Sequence, residues 1–255
     1  MFTTEKPRAI RVGQIVPSSN TTMETEIPTV LRARESVLPE RFTFHSSRMR
    51  MKHVTKSELE RMDADSDRCA DELSDARMDV IGYACLVAIM SMGHGYHRQS
   101  ELRLQQRTVL NGGSAPLVTS AGALIDGLTA MKARRISIIC PYMKPLTRLV
   151  VDYIENEGFE VHDYCALEIP DNLEVGARDP MALVEIYKKV SLANIDVLVL
   201  SACVQMPSLA AIPVVQGASG IPVVSAAACT TWQMLKKLGL ATKVPSAGAL
   251  LSGDY

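Results

Sequence analysis

The chain has 255 residues, of which 47% are hydrophobic and 22% are charged. This composition is typical of a soluble globular protein, and the length can bury a sizeable core in one large domain or two small ones. The formal net charge of −1 provides no bulk attraction for nucleic acid or for an anionic membrane. We therefore expect neither as a partner, and an anionic substrate would need local hydrogen-bond donors.

The first residues of the chain, 1–11, are polar and lack the apolar core of a secretory signal. No apolar run approaches the roughly 18 residues that a transmembrane helix requires. These two observations predict a cytoplasmic protein.

Apolar runs rich in Val and Ile alternate with longer amphipathic stretches, which predicts an α/β fold with parallel strands and right-handed crossovers. The predicted strands are Ile10–Val16, Phe42–His45 (weaker), Val80–Tyr83, Pro116–Thr119, Ile136–Cys140, a stretch near Glu160–Cys165, Val197–Leu200 and Pro222–Val224. The predicted helices are Lys56–Ala76, Lys144–Glu157 and Pro180–Ala193, the last with Asp179 as its N-cap. The run Thr21-Thr22-Met23-Glu24 predicts a capping box that starts another helix after the first strand.

The two halves of the chain resemble each other. Three pairs of segments match in the same order, namely Val16–Ser18 with Cys140–Tyr142, Met78–Cys85 with Ile195–Cys203, and Pro116–Ala121 with Pro222–Ala227. This repetition predicts a duplicated α/β unit with two pseudo-symmetric lobes and an active site in the cleft between them. We expect one lobe to contain residues 1–120 plus about 226–255 and the other about 121–225, with the C-terminal helices exchanged.

Two of the six cysteines occupy matched positions in the two halves. Cys85 and Cys203 each follow a predicted buried strand, and ligands of open parallel sheets bind beyond the carboxyl ends of the strands. A thiol at a helix N-terminus has a lowered pKa, so the pattern predicts a reactive thiolate. The alternative is a pair of buried cysteines that pack the core. Core packing is the expected role of the remaining cysteines, Cys69, Cys140, Cys165 and Cys229.

Metal sites are not expected. No cysteine lies in a CxxC motif or a close Cys/His cluster, which argues against structural zinc. His94 and His97 are three residues apart but have no acidic or sulfur partner nearby in sequence. The glycines around them predict a loop over the cleft. The basic run Arg48–His53 is interpreted as a solvated loop edge in preference to a patch that guides an anion.

Five segments carry a family resemblance: Pro17–Glu24, Tyr83–Ala88, Pro141-Tyr142, Pro170–Gly176 and Ser201–Met206. Together they resemble the maleate cis-trans isomerases of the aspartate/glutamate racemase superfamily, and the similarity spans nearly the whole chain. Decarboxylases of that superfamily keep only the second cysteine, whereas racemases use both. The Ser-Ser-Asn-Thr and Asp-Asn-Leu-Glu-Val-Gly stretches favour the isomerases over the racemases.

The resemblance implies conversion of maleate to fumarate without a metal, nucleotide or other cofactor. It also implies that Cys85 is the nucleophile, forming a succinyl thioether, and that Cys203 is the opposing acid and base. Rotation about the double bond of maleate requires that bond to become single, and addition of a thiolate to one alkene carbon achieves this. By the same resemblance, the enzyme is a homodimer that serves the breakdown of nicotinate and nicotine.

The resemblance further implies donors for the two substrate carboxylates. The residues concerned are the side chains of Asn20, Tyr142 and Asn172 and the backbone N–H groups of Leu86, Val87, Val204 and Gln205. Neutral donors suit a carboxylate whose charge rises and falls during the reaction. Taken singly, Asn20 could be a helix cap, Tyr142 a half-buried aromatic and Asn172 a loop residue.

Two other functions remain open at this point. An aspartate, glutamate or hydantoin racemase would use the same two cysteines, but it would exchange the substrate α-hydrogen with solvent. A non-catalytic binding module is also compatible with duplicated α/β lobes. Such a module would keep its ligand affinity after Cys85→Ser and turn nothing over.

Overall fold

Parallel strands form two four-stranded sheets in the computed structural model, which describes residues 8–255. The first sheet has the order β2-β1-β3-β4 and the second the order β6-β5-β7-β8. All pairings within the two sheets are parallel. The strands are β1 Ile10–Pro17, β2 Phe42–Met49, β3 Val80–Tyr83, β4 Leu117–Thr119, β5 Arg135–Cys140, β6 Glu160–Ala166, β7 Val197–Ser201 and β8 Val223–Ser225.

The predicted strands and the α/β class are confirmed. The two strands with the weaker apolar signal, β2 and β6, lie at sheet edges. Strand β2 combines buried with exposed positions and β6 has no fully buried residue, whereas β3 and β7 are buried along their whole length. The strength of the apolar pattern therefore reports how deeply a strand is buried, since the other two edge strands, β4 and β8, are also buried along their whole length.

Helices cover both sheets. They are α1 Met23–Arg34, α2 Lys56–Asp75, α3 Leu86–Ser91, α4 Tyr96–Leu110, α5 Ser120–Ala130, α6 Lys144–Asn156, α7 Asn172–Gly176, α8 Leu183–Ile186, α9 Ala211–Ser219 and α10 Ala226–Lys237. The predictions for α2 and α6 are confirmed to within one residue. The helices α4, α7 and α9 were not predicted, because their sequences lack a clear apolar period.

The prediction of one helix over Pro180–Ala193 is wrong. The Asp179 cap is present, since its carboxylate accepts a hydrogen bond from the Met181 N–H at 2.9 Å. The segment then alternates between 3₁₀ turns and the short α8, and it becomes extended at Val190. The reason lies just beyond, where Ser191 N–H donates to the Asp163 carboxylate of β6 at 2.7 Å. This contact draws the chain along the sheet edge and ends the helix.

The duplication is confirmed by the identical strand order of the two sheets. In each half a helix begins directly after the last strand, capped by Thr119 at α5 and by Ser225 at α10. Helix α10 packs most extensively against α5, and it also contacts α1, β3 and β4 of the first half and β8 of the second. The contacts with α1, β3 and β4 agree with the predicted exchange of the C-terminal helix, and the lobe boundaries stay a prediction. Within residues 8–255, no helix combines the length and the apolar character needed to cross a membrane.

Candidate active site

One small cavity lies where the carboxyl ends of β3 and β7 meet, with about 20 Å³ of free space. Its wall includes all nine residues proposed from the sequence, drawn from both halves of the chain. These are Asn20, Cys85, Leu86, Val87, Tyr142, Asn172, Cys203, Val204 and Gln205. Pro17, Met51 and Val54 complete the lining. Both cysteines are free thiols.

Cys85 stands at the junction between β3 and α3. The strand ends at Tyr83 and the helix begins at Leu86, so Cys85 is the N-cap residue of α3. Its backbone has φ 104° and ψ 74°, a left-handed conformation that L-residues other than glycine rarely adopt. Such strain is common where a backbone must aim one side chain into a site. The conformation fixes the half-buried thiol of Cys85 in the wall of the cavity.

The expected thiolate at Cys85 is wrong for the free protein. The pKa of the Cys85 thiol is raised to about 12, chiefly by burial and also by the nearby Cys203 and Asp63, while a hydrogen bond from the Ala88 N–H opposes this rise. Helix α3 has only 6 residues, so its N-terminal dipole is too weak to offset the loss of solvation. Cys85 is therefore a neutral thiol at pH 7.

Cys203 lies in the matching place after β7, but its surroundings are more polar. It is 7% exposed and lies in a turn closed by the Met206 N–H, which donates to the Cys203 carbonyl oxygen at 3.2 Å. Burial raises the pKa of the Cys203 thiol, whereas the Tyr142 hydroxyl and the N–H groups of Gln205 and Met206 oppose that rise by hydrogen bonding to the sulfur. This cysteine has donors aimed at its sulfur from two directions.

Tyr142 connects the cavity wall to Cys203. Its hydroxyl is 3.2 Å from the Ala202 carbonyl oxygen and also within hydrogen-bonding reach of the Cys203 sulfur. The single phenolic proton can serve either acceptor. Burial raises the pKa of Tyr142 well above its usual value, so the hydroxyl stays protonated and can donate.

Asn20 has both of the roles that the sequence left open. Its side-chain oxygen caps α1, accepting from the Met23 N–H at 3.0 Å, and the residue lines the cavity. The predicted capping box is wrong, because the Thr22 hydroxyl donates to the Gln205 carbonyl oxygen at 2.7 Å instead of capping α1. With its oxygen engaged by the helix, Asn20 has its amide N–H donors available for a ligand.

Asn172 begins α7 and is 7% exposed. Asp171 caps this helix by accepting from the Leu173 N–H at 2.8 Å. The Asn172 amide donates one hydrogen bond to the Ser19 hydroxyl at 2.8 Å, which joins the two halves of the chain beside the cavity. Its second N–H donor and its oxygen remain for a ligand.

The backbone donors expected at Leu86, Val87, Val204 and Gln205 lie in two short segments. Leu86 and Val87 open α3, where the first N–H groups have no acceptor inside the helix. Val204 and Gln205 form the turn after Cys203, and the Gln205 N–H points to the Cys203 sulfur. Two carboxylates could thus meet backbone donors from opposite halves of the chain.

Comparison with known proteins identifies the family. The family model described as arylmalonate decarboxylase matches residues 12–251. A maleate isomerase from Pseudomonas putida is 66% identical over 245 residues, covering 96% of this chain and 98% of that protein. The chain belongs to the arylmalonate decarboxylase family and, within it, to the maleate isomerases.

Two solved maleate isomerases have the same fold. The crystal structure of a Cys-to-Ala variant from Pseudomonas putida, determined with maleate, is 65% identical and has a TM-score of 0.96, covering 97% of this chain and 99% of that one. A Cys-to-Ser mutant of the Nocardia farcinica maleate cis-trans isomerase carries a covalently bound succinylcysteine intermediate. It is 42% identical with a TM-score of 0.93, covering 97% of this chain and 100% of that one. The fold is the Asp/Glu racemase-like type.

The two histidines considered as metal ligands in the sequence analysis, His94 and His97, lie outside the cavity. His97 is buried on α4, and its Nδ1 atom hydrogen-bonds the Tyr153 hydroxyl of α6. His94 also packs against Tyr153, with ring centroids 6.3 Å apart, so the glycine-flanked turn contacts α6 and is absent from the cavity lining. The expected cover over the cleft is wrong. Among residues 8–255, no group of three or more His, Cys, Asp or Glu side chains could hold a metal ion.

Arg48 also differs from its interpretation as a solvated loop edge. Its guanidinium donates to the carbonyl oxygens of Ser18 and Asn20, at 3.0 and 2.8 Å, and pairs with Glu24. Arg48 thus stabilises the loop that presents Asn20. The residue missed most completely by sequence reasoning is Gln205, for which only the backbone N–H was considered.

Proposed function

We propose that the chain catalyses the cis-trans isomerisation of maleate to fumarate through a covalent succinyl-cysteine intermediate. The observation that carries this proposal is the presence of two free thiols, one from each half of the chain, in the wall of one small cavity. The succinylcysteine bound to a Nocardia farcinica relative supports the covalent route.

Cys85 is the attacking residue. Its sulfur pair forms a bond to one alkene carbon, and the π pair of the alkene moves onto the neighbouring carbon and its carboxylate, giving an enediolate. The Cys203 thiol then gives its proton to that carbon, which leaves a C–C single bond free to rotate. After rotation, Cys203 takes the proton back and the Cys85 sulfur leaves, releasing fumarate. The complete cycle of addition, rotation and elimination involves no net oxidation or reduction.

The attacking form of Cys85 is the thiolate, although the free thiol has a pKa of about 12. The Cys85 proton must therefore pass to a carboxylate of the bound maleate before the C–S bond forms, and it returns to Cys85 when fumarate is released. A neutral resting thiol has a benefit, because a buried thiolate would repel an incoming dianion. Reactivity then develops only with substrate in the cavity.

The carboxylates of maleate are held by neutral donors in this proposal. Asn20, Tyr142 and Asn172 supply side-chain donors, and the N–H groups of Leu86, Val87, Val204 and Gln205 supply the backbone donors. An enediolate carries more charge on one carboxylate than the substrate does, so donors fixed in advance stabilise it more than they stabilise maleate.

The test is the disappearance of maleate and the appearance of fumarate, followed by NMR with the purified chain. We expect turnover that a thiol-alkylating agent abolishes and that a chelator leaves unchanged. Activity that survives complete alkylation would contradict the proposal. A racemase would instead exchange the α-hydrogen of aspartate or glutamate in deuterated water without consuming maleate, so the same instrument separates the two activities.

The finer expectations about the cellular setting are proposals as well. The enzyme is cytoplasmic, forms a homodimer, binds neither nucleic acid nor membranes, and needs no cofactor. It acts in the breakdown of nicotinate and nicotine. Sedimentation of the purified chain at micromolar concentration tests the oligomeric state, and a monomer would contradict it. Growth of the source cell on nicotinate after deletion of the gene for this chain tests the pathway, and unimpaired growth would contradict it.

A further inference from the structure

The side chain of Gln205 uses its full hydrogen-bonding capacity on the polypeptide. Its oxygen accepts from the N–H groups of Thr21 and Thr22, at 3.0 and 3.4 Å. Its amide nitrogen donates to the carbonyl oxygens of Ser19 and Asn172, at 3.0 and 2.8 Å. A primary amide has two donor hydrogens and two acceptor lone pairs, so all four positions are occupied. Gln205 is 3% exposed.

These contacts bracket Asn20. The Gln205 amide holds the backbone on both sides of that residue, at Ser19 and at Thr21. The Thr22 hydroxyl also donates a hydrogen bond to the backbone carbonyl oxygen of Gln205 at 2.7 Å. Asn20 is therefore held in the cavity wall from the other half of the chain by Gln205, in addition to the hydrogen bond from Arg48 to its carbonyl oxygen.

The same amide reaches the second asparagine of the site. It binds the carbonyl oxygen of Asn172, whose own side chain donates to the Ser19 hydroxyl at 2.8 Å. Gln205 also lies two residues after Cys203, and its backbone N–H contacts the Cys203 sulfur. One side chain thus joins the Asn20 loop, the start of α7 and the Cys203 turn.

We propose that Gln205 is a positioning residue, whose side-chain amide sets the relative placement of Asn20, Asn172 and Cys203 for the reaction. This inference rests on the proposed function. Gln205 touches substrate at most through its backbone, and its side chain acts through the residues that it aligns. Both maleate binding and the proton transfer by Cys203 depend on this alignment, because an error of about 1 Å in a reacting group costs on the order of 100-fold in rate.

Gly176 supports the proposal from an independent direction. A Cβ atom at Gly176 would come within 2.4 Å of the Gln205 amide nitrogen, closer than atoms in contact approach. Gly176 ends the short helix α7 and its φ is not positive, so the backbone there does not require glycine. The absence of a side chain at 176 leaves room for the amide, which four hydrogen bonds hold in place.

The first experiment measures kcat and KM for maleate in Gln205→Ala, with wild type and Gln216→Ala as references. We expect kcat/KM to fall about 100-fold in Gln205→Ala, with KM raised and kcat lowered. Gln216 is a matched control because its side-chain oxygen also accepts from two backbone N–H groups, those of Val223 and Ala249, outside the cavity. Gln216→Ala should keep its kcat/KM within about twofold of wild type, as expected of a site that contributes structure alone.

Gln205→Glu provides a signature that a general loss of stability does not produce. The carboxylate can still accept from Thr21 and Thr22, but it places a negative charge against the carbonyl oxygens of Ser19 and Asn172. Protonation restores one donor, and burial raises the pKa of such a carboxyl. We expect the ratio of variant to wild-type kcat/KM to increase as the pH falls from about 8 to about 6.

Gly176→Ala tests the same contact without removing the amide. Alanine favours the helix more than glycine does, so helix propensity alone predicts no harm. We expect kcat/KM to fall about tenfold, and the loss to vanish when Gly176→Ala is placed in the Gln205→Ala background, where the methyl group has room. Wild-type kcat/KM in Gln205→Ala or Gly176→Ala, or a Gln205→Glu ratio that does not vary with pH, would overturn the proposal. A wild-type chain that leaves maleate unchanged would instead overturn the proposed function.

Discussion

The two halves of the molecule have the same sheet and matched cysteines, yet the two thiols lie in different surroundings. Cys85 sits on a strained backbone, at the start of a short apolar helix, and burial raises its pKa to about 12. Cys203 lies in a turn where the Tyr142 hydroxyl and two backbone N–H groups contact its sulfur. The duplicated fold places the two cysteines at equivalent positions, and the segments that follow the strands give their thiols different surroundings.

This inequality matches the division of labour in the proposed reaction. A nucleophile must be exposed to the substrate carbon and free of hydrogen bonds that weaken its attack. An acid and base must hold a proton and stabilise the anion that remains after giving it away. The contacts around Cys203 favour its anion, whereas Cys85 has a single stabilising contact, from the Ala88 N–H.

The largest expected effect is that of Cys85→Ser. A serine hydroxyl in the same place is a far weaker nucleophile, so we expect maleate turnover to fall by about 10⁴-fold or more. The assay is the initial rate of fumarate formation, with a thermal unfolding scan to verify the fold. Residual activity within about tenfold of wild type would show that Cys85 forms no essential bond.

Cys203→Ser should be impaired less severely. Loss of a positioned acid and base costs about 10²- to 10⁴-fold, and the hydroxyl retains the shape of the thiol. We expect a decrease of about 10³-fold in kcat with KM little changed. Equal behaviour of the two serine variants in a single-turnover experiment would break the assignment of different roles.

Tyr142→Phe removes the hydroxyl that contacts Cys203 and the Ala202 carbonyl oxygen. A hydrogen bond to a charged group contributes about 1.5–3 kcal/mol, which corresponds to roughly 10- to 100-fold in rate. The decrease should appear in kcat/KM, and the Cys203 thiol should ionise at a higher pH. An unchanged kcat/KM would exclude Tyr142 from the site chemistry.

The pH dependence of alkylation tests the resting state of Cys85. Because burial raises its pKa to about 12, the thiolate fraction of the free protein should increase about tenfold per pH unit between pH 7 and 10. The rate of Cys85 modification by a neutral alkylating agent, followed by peptide mass spectrometry, should rise in parallel. A plateau near pH 7 would mean that the helix dipole dominates and that Cys85 rests as thiolate.

The smallest expected effects compare the matched helix caps. The Thr119 hydroxyl accepts from the Gly122 N–H at 3.0 Å and donates to Glu101 at 2.8 Å, whereas the Ser225 hydroxyl accepts from the Ala228 N–H at 3.2 Å. Each alanine substitution should cost about 0.5–2 kcal/mol of unfolding free energy. Thr119→Ala should cost more than Ser225→Ala in urea titrations, and the reverse order would contradict this account of the caps.

Much of the fold could be predicted from the sequence. Apolar runs identify strands such as β7 because a strand buried on both faces has no polar alternation. The matched spacing of Cys85 and Cys203 predicts their shared cavity, since each lies beyond the carboxyl end of a strand and the two lobes face each other across one cleft. The helix over Pro180–Ala193 could not be corrected in advance, because the bond from Ser191 to Asp163 is long-range.

Electrostatics and side-chain networks were less accessible. Sequence position places Cys85 at a helix start, but the pKa of its thiol depends on burial by distant segments. The role of the Gln205 side chain could not be predicted from the sequence, because its four hydrogen-bond partners are 33 to 186 residues away along the chain. Only the folded chain brings Ser19, Thr21 and Asn172 to one amide.

Mass spectrometry of Cys203→Ser incubated with maleate is the most direct test of the central claim. The account predicts one equivalent of maleic acid added to the intact chain, with peptide mapping that assigns it to Cys85 and no addition when Cys85 is also replaced by serine. Addition at another cysteine, or a bound substrate that never becomes covalent, would contradict it.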